Sequence, residues 1–240
     1  MAFALNNMSL DERFAALDDE KARFVSKVYS GLTLSLAVAA VSCGISIALF
    51  NKMPPQEVRG IFTIMCIVEL VMIVGSMFIR MTGPFGWAFL LSFVTVTGVT
   101  LAPVLMIYAR PPADAPMSNS GTATIAAALG LTATIFLTLT AYVRWSGKDF
   151  SYLGGFLWMA TIGLIVTGIG LMFFNYETVN YIRACIGALI FCGWILFDTS
   201  AVTRQYYRDN NVVGAVLTLY LDILNLFMFL LQILGNRRRD

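Results

Sequence analysis

Residues 181–204, YIRACIGALIFCGWILFDTSAVTR, and residues 212–234, VVGAVLTLYLDILNLFMFLLQIL, are each longer than the roughly 20 apolar residues that carry a helix across a bilayer. The segment between them, QYYRDNN at 205–211, is too short for anything but a turn. The two runs therefore read as a membrane hairpin. Each carries one acid in its interior, Asp198 in the first and Asp222 in the second, and the two are equidistant from Asn210 in the turn. At a rise of 1.5 Å per residue, both acids fall at a similar depth, roughly 10–15 Å below the surface, where they can face one another.

Working outward from the hairpin, five more apolar runs of spanning length lie near 28–50, 60–80, 86–108, 121–143 and 153–174. Short polar or Pro/Gly-bearing breaks separate them, none long enough for a second domain. Of 240 residues, 58% are hydrophobic and 12% charged, with a mean hydropathy of +0.78, whereas a soluble globule carries roughly 25% charge. The expectation is an all-α integral membrane protein of seven transmembrane helices. It divides into an N-terminal segment 1–27, a membrane domain 28–234 and a basic tail 235–240.

Composition also removes chemistry. Without histidine there is no Ser-His-Asp triad, no HExxH zinc site and no histidine proton switch, so proton handling falls to carboxylates, thiols, tyrosines or lysines. Cys43, Cys66, Cys185 and Cys192 lie in apolar runs without CxxC spacing and read as small buried hydrophobes. A net charge of +2 with no basic run gives nucleic acid no footprint. The first 25 residues mix acids and bases where a cleavable signal would need an apolar core, so insertion is expected to rely on an uncleaved first helix. Within that stretch Ser9 and Glu12 have capping-box spacing, followed by Phe14, Leu17 and Phe24 among charges. That segment is either an amphipathic helix lying on the membrane surface or a solvated stub.

Counting Lys and Arg on alternate sides sets orientation. Arg13, Lys21, Arg23, Lys27, Arg80, Arg144, Lys148, Arg204 and Arg208 share the N-terminal side, against Lys52, Arg59, Arg110 and Arg183 on the other. The N-terminus is expected in the cytoplasm. Arg237, Arg238 and Arg239 run against that count: either the last helix crosses and the tail is an exception, or that helix is short, tilted or re-entrant.

Ionisable side chains inside apolar runs carry the functional signal, since each costs about 2.5–3.5 kcal/mol at a helix centre and persists when paired or lining water. They are Glu69, Arg80, Arg183, Asp198 and Asp222. Arg183, near the outer end of the sixth run, can snorkel to the interface. Two carboxylates at low dielectric cannot both ionise cheaply, so Asp198 and Asp222 should share a proton. Arg80 closes the second run on the side where the sixth ends and the seventh begins, and its guanidinium can reach toward the pair. Protonating the pair would release that arginine. Glu69 lies about 16 Å deeper than Arg80 by helical rise, with no evident partner. Asn225, one turn beyond Asp222, can either hydrogen-bond an aspartate or pack as a small polar spacer. The bland alternative is a polar cluster that locks three helices together and conducts nothing.

KDFSYLGGFL at 148–157, FCGWILFDTS at 191–200, LTLYLDILNLF at 217–227 and TGVTLAPVL at 97–105 together resemble the Bax-inhibitor family, the transmembrane Bax-inhibitor-motif proteins. The likeness runs from about residue 25 to the end and looks like a bacterial inner-membrane member. It implies six helices around a central seventh and a proton-sensitive calcium leak. In it Asp198 and Asp222 match the family's sensor, Arg80 its latch and Glu69 its deeper acid. One departure is plain: where the family can carry a base late in the seventh helix to pair the second-helix acid, this chain has Gln232 before its tail.

Three functions compete on these residues. The first is a pH-gated calcium leak channel, with Asp198 and Asp222 as sensor and transient calcium ligands, and with Glu69 and Asn225 along the ion pathway. The second is a non-conducting regulator that binds another membrane protein, such as a quality-control protease. The third is an intramembrane aspartyl protease, whose two acids also share a proton; YLDIL stands where such enzymes require GxGD, so no enzyme is expected. No lysine in the seventh run is available for a retinal Schiff base. No resident cofactor is expected, and the partners are the bilayer, protons and calcium.

Overall fold

A computed structural model describes residues 10–78, 81–110, 121–173 and 176–236. The described chain is a succession of helices: α1 (Leu10–Phe50), α2 (Pro55–Phe78), α3 (Gly83–Ala109), α4 (Gly121–Ser146), α5 (Gly154–Phe173), α6 (Glu177–Ala201) and α7 (Val212–Asn236). All seven contain a stretch long and apolar enough to cross a membrane. Their starts follow local chemistry. Pro55 opens α2 and Pro84 sits in the first turn of α3, where a proline forfeits no helical hydrogen bond. Gly83 and Gly147 take positive φ at the breaks beside α3 and α4.

From Leu10 the chain enters the first span without interruption, and no proline or glycine breaks it before Gly31. The stretch sought at 1–27 as a separate surface helix is, in its described part, the stem of α1. Phe24 and Val25 of that stem are already buried, with Phe24 edge-on to Tyr207 at 5.6 Å.

The last helix is the centre of the bundle. No residue from 212 to 235 is exposed, and Val216, Leu219, Tyr220, Leu226 and Leu231 are all but sealed. It packs against α1, α3, α4 and α6; α2 leans on α3 and α5 on α6 as an outer tier. The last helix is central, as the resemblance implies, with α1, α3, α4 and α6 as its main neighbours. At 25 residues α7 is long enough to cross, which removes the short-helix answer to the arginine-tail conflict. The tail residues 237–240 lie outside the described residues.

The outer surface is apolar: Ile67, Leu70, Val71, Phe156, Ile165 and Leu189 all stand more than half exposed. A soluble monomer does not sustain so much apolar surface; a bilayer solvates it. Hydroxyls on these faces return to their own backbone, as Ser92 does to Ala88 and Thr134 to Gly130 at 2.8 Å. The four cysteines are free, as their scatter through the apolar runs leads one to expect.

Candidate functional site

Asp198 lies in the last turn of α6, and Asp222 lies ten residues into α7. The hairpin brings them together: both are buried, 6% and 4% exposed, and their carboxyl groups are hydrogen-bond partners. The second oxygen of Asp222, Oδ2, is sealed from solvent with no partner among the described residues. Two carboxyls in contact, with no cation against them among the described residues, call for a shared proton. Asn225 does not join them; its amide donates to the Leu221 carbonyl of its own helix at 2.8 Å. Arg80 lies outside the described residues.

The helix carrying Asp198 changes pitch one turn later. Val202–Tyr206 form a π turn, an arrangement that re-aims side chains and recurs at functional sites. Tyr206, at its end, lies beside both aspartates and Thr218. The loop before α5 pins this turn. Asp149 forms an ion pair with Arg204, Arg204 Nη2 donates to the Gly147 carbonyl at 3.3 Å, and the Phe150 amide donates to Ser200 Oγ at 3.4 Å. Asp149 also accepts from the backbone N–H of Ser151 at 2.9 Å and from its hydroxyl. These bonds from Ser151, and then Arg204, hold the Asp149 carboxyl below the usual carboxylate range. Its ties are therefore intact at neutral pH and are lost as pH falls through its lowered titration. Asp149→Asn should loosen the loop rather than unfold the chain, because exposed ion pairs contribute little. Hydrogen exchange is expected to quicken at 147–151 and 202–206 and stay unchanged in α7. The Asp-x-Ser spacing within KDFS was the available signal for this link.

Glu69 belongs to a second polar site. Its Oε1 accepts from Thr97 Oγ1 at 3.1 Å and its Oε2 from Thr100 Oγ1 at 3.0 Å, so two threonines of α3 do what a base on the last helix was sought to do. Each hydroxyl has one proton and a rival acceptor, since Thr97 also reaches Phe93 O at 2.9 Å and Thr100 reaches Thr97 O at 2.9 Å. An ionised Glu69 needs both protons turned toward it; a protonated Glu69 donates one of its own and lets a hydroxyl return to the backbone. Removing both donors by Thr97→Val and Thr100→Val should cost about 1–2 kcal/mol in thermal stability. Adding Glu69→Gln should recover part of the loss, because no carboxylate then lacks partners. A double variant as stable as wild type would mean that the threonines do not hold the acid. Two hydroxyls three residues apart on one face of TVTGVT were visible in the sequence, but nothing there paired them with helix two.

Tyr220 is sealed beside Thr97 and Glu69, its ring edge-on to Phe93 at 6.3 Å. Two residues along a helix point about 200° apart, so α7 presents Asp222 to α6 and Tyr220 to α3. The two polar sites stand back to back across the central helix. Gln232 in turn holds Arg183: Arg183 Nη2 donates to Gln232 Oε1 at 3.2 Å and to Asn180 Oδ1 at 3.3 Å. Among the described residues no three of His, Cys, Asp or Glu gather in a metal-binding group, so Asp198 and Asp222 offer calcium two carboxylates where a resident ion takes six to eight oxygens.

A seven-helix membrane protein with a buried last helix and an acid pair at its hairpin is the class these features define. The chain belongs to the Bax-inhibitor family: residues 21–239 match the profile of the family described as inhibitor of apoptosis-promoting Bax1. It is 32% identical over 222 residues to an uncharacterized membrane protein of Vibrio cholerae, spanning 90% of each chain. It is 32% identical over 220 residues to Bax inhibitor 1 of Schizosaccharomyces pombe, spanning 88% of this chain and 76% of the yeast protein. Protein lifeguard 4 of the mouse is 29% identical over 213 residues, 88% of this chain and 84% of its own.

Proposed function

We propose that the protein is a pH-sensitive calcium leak channel of a bacterial inner membrane, with its N-terminus in the cytoplasm. The observation that carries this reading is the buried Asp198–Asp222 contact, a pair of acids kept where charge is costly. With one proton the pair holds a negative charge against which Arg80, at the end of the second span, latches. A second proton neutralises it, frees Arg80 and lets the outlying α2 move away from α3. The same carboxylates, with Glu69 and Asn225 further along, give a hard divalent cation oxygens in passing rather than a closed cage. In this reading the protein performs no covalent chemistry. Calcium influx into liposomes, followed against pH for wild type and for a variant with both aspartates changed to Asn, tests it.

A second reading rests on α2, which packs chiefly on α3 and leaves Ile64, Ile67, Leu70 and Val71 exposed. That face suits a regulator that holds another membrane protein. A stoichiometric partner co-purifying with a chain that passes no ions would favour it.

A further inference from the structure

Arg183 does not swing out to the interface as a snorkelling arginine would. Its guanidinium is drawn into the angle between α5, α6 and α7. Nη2 is spent on Asn180 and Gln232, the guanidinium carbon lies 5.6 Å from the centre of the Phe229 ring, and Nη1 lies beside Gly168 of α5, 3.5 Å from where a Cβ there would stand. Both Asn180 and Gln232 offer neutral oxygens. Among the described residues no carboxylate pairs with Arg183 and the buried Nε has no acceptor. A half-buried cation in a spanning helix ordinarily has a counter-charge. Here the described residues supply none.

What lies beside it is a groove of about 600 Å³ between α5 and α6, with Arg183 at one end. Leu157, Ala160 and Leu164 line one wall, and Ile182, Ile186 and Ile190 the other. It runs from Thr167 of α5 down to Leu153 just before that helix, and from Val179 to Gly193 along α6, fourteen residue steps on each side. That is about 21 Å by helical rise, longer than the roughly 15 Å of hydrocarbon in one leaflet. Gly163 keeps the floor open: a Cβ built there meets nothing within 4 Å. An apolar trough of acyl-chain length ending on a cation without a counter-ion is complementary to one kind of molecule.

The geometry points to a binding site for an anionic phospholipid, its chain along the α5–α6 groove and its phosphate on Arg183. The phosphate supplies the missing counter-charge through Nη1, and the chain covers apolar walls that would otherwise meet disordered lipid. The site is in the half of the membrane opposite the N-terminus and does not depend on the leak reading.

Native mass spectrometry of the full chain released from nanodiscs of equal parts phosphatidylglycerol and phosphatidylcholine tests this. Wild type is expected to retain one phosphatidylglycerol and little phosphatidylcholine. Arg183→Gln should reduce that retention about tenfold by removing a charge-assisted bond. Gly163→Leu, which fills the groove and leaves the arginine in place, should do the same and guards against a misfolded Arg183 variant. Arg59→Gln, a charge on the same side but away from the groove, should leave retention as in wild type. Equal retention of the two lipids by wild type, or phosphatidylglycerol held undiminished by both groove variants, would overturn the proposal.

Discussion

Calcium influx into liposomes bearing the wild-type chain is expected to rise as the face that carries the N-terminus is acidified, and to become high and flat with pH when Asp198 and Asp222 are both changed to Asn. The sign follows from the charge on the pair. Singly protonated, it bears one negative charge at a depth where an arginine contact is strong. At about 4 Å and an effective dielectric near 20, opposite charges attract by about 4 kcal/mol. A second proton removes that attraction, and a shift of even about 1.4 kcal/mol changes the open fraction tenfold while the open state is minor. Asparagine keeps the size and polarity of a protonated aspartic acid but cannot ionise, so the double variant imitates the doubly protonated state at every pH. Arg80→Gln should open the path in the same way from the other partner. Influx that keeps its wild-type pH dependence in the double Asn chain would remove the pair from gating. A chain that passes no calcium at any pH would leave the regulator reading.

Bundle, helix number and hairpin were legible because spanning length and apolar content are one-dimensional quantities, and a short turn between two spans fixes antiparallel neighbours. The facing of Asp198 and Asp222 came from the same arithmetic, since equal distances from Asn210 give equal depths. What stayed hidden were the side-chain contacts that depend on how each helix is rotated about its axis. Glu69 meets Thr97 and Thr100 across the α2–α3 packing, and Gln232 meets Arg183 across α6–α7. Which face of each helix turns inward decides both, and rotation about the helix axis has no signature where nearly every face is apolar. The π turn after Asp198 was equally silent, because the contacts of Arg204 with Asp149 and Gly147 come from a loop some fifty residues away in sequence. Glycines inside the spans differ in what surrounds them: Gly187 and Gly193 press against Phe229 and Leu157, whereas Gly163 and Gly170 have open space beside them. A close approach of two helix backbones also falls at a glycine that the apolar pattern did not single out.

That glycine is Gly98, and replacing it by Val is expected to lower the thermal midpoint by about 5–10 °C, the consequence of an overpacking cost of about 2–3 kcal/mol in a chain of this length. A Cβ at Gly98 would sit 2.5 Å from the Ala39 carbonyl oxygen, 2.8 Å from Ser42 Cβ and 3.0 Å from the Cys43 amide nitrogen. Two of these are backbone atoms of α1, which cannot rotate aside, so α1 and α3 must separate. Separation also threatens the bond from Ser42 Oγ to the Thr95 carbonyl, 2.8 Å long and the link across that interface. The damage would not stay local, because Thr97 and Thr100 flank Gly98 and carry the two donors to Glu69. Gly98→Val should therefore disturb the Glu69 site as well as the fold, whereas Gly44→Val on α1, where a Cβ meets nothing within 4 Å, should do neither. Melting curves of the two purified variants decide the matter. If Gly98→Val melts with wild type, helices α1 and α3 do not approach as closely as described, and the threonine cradle of Glu69 falls with them.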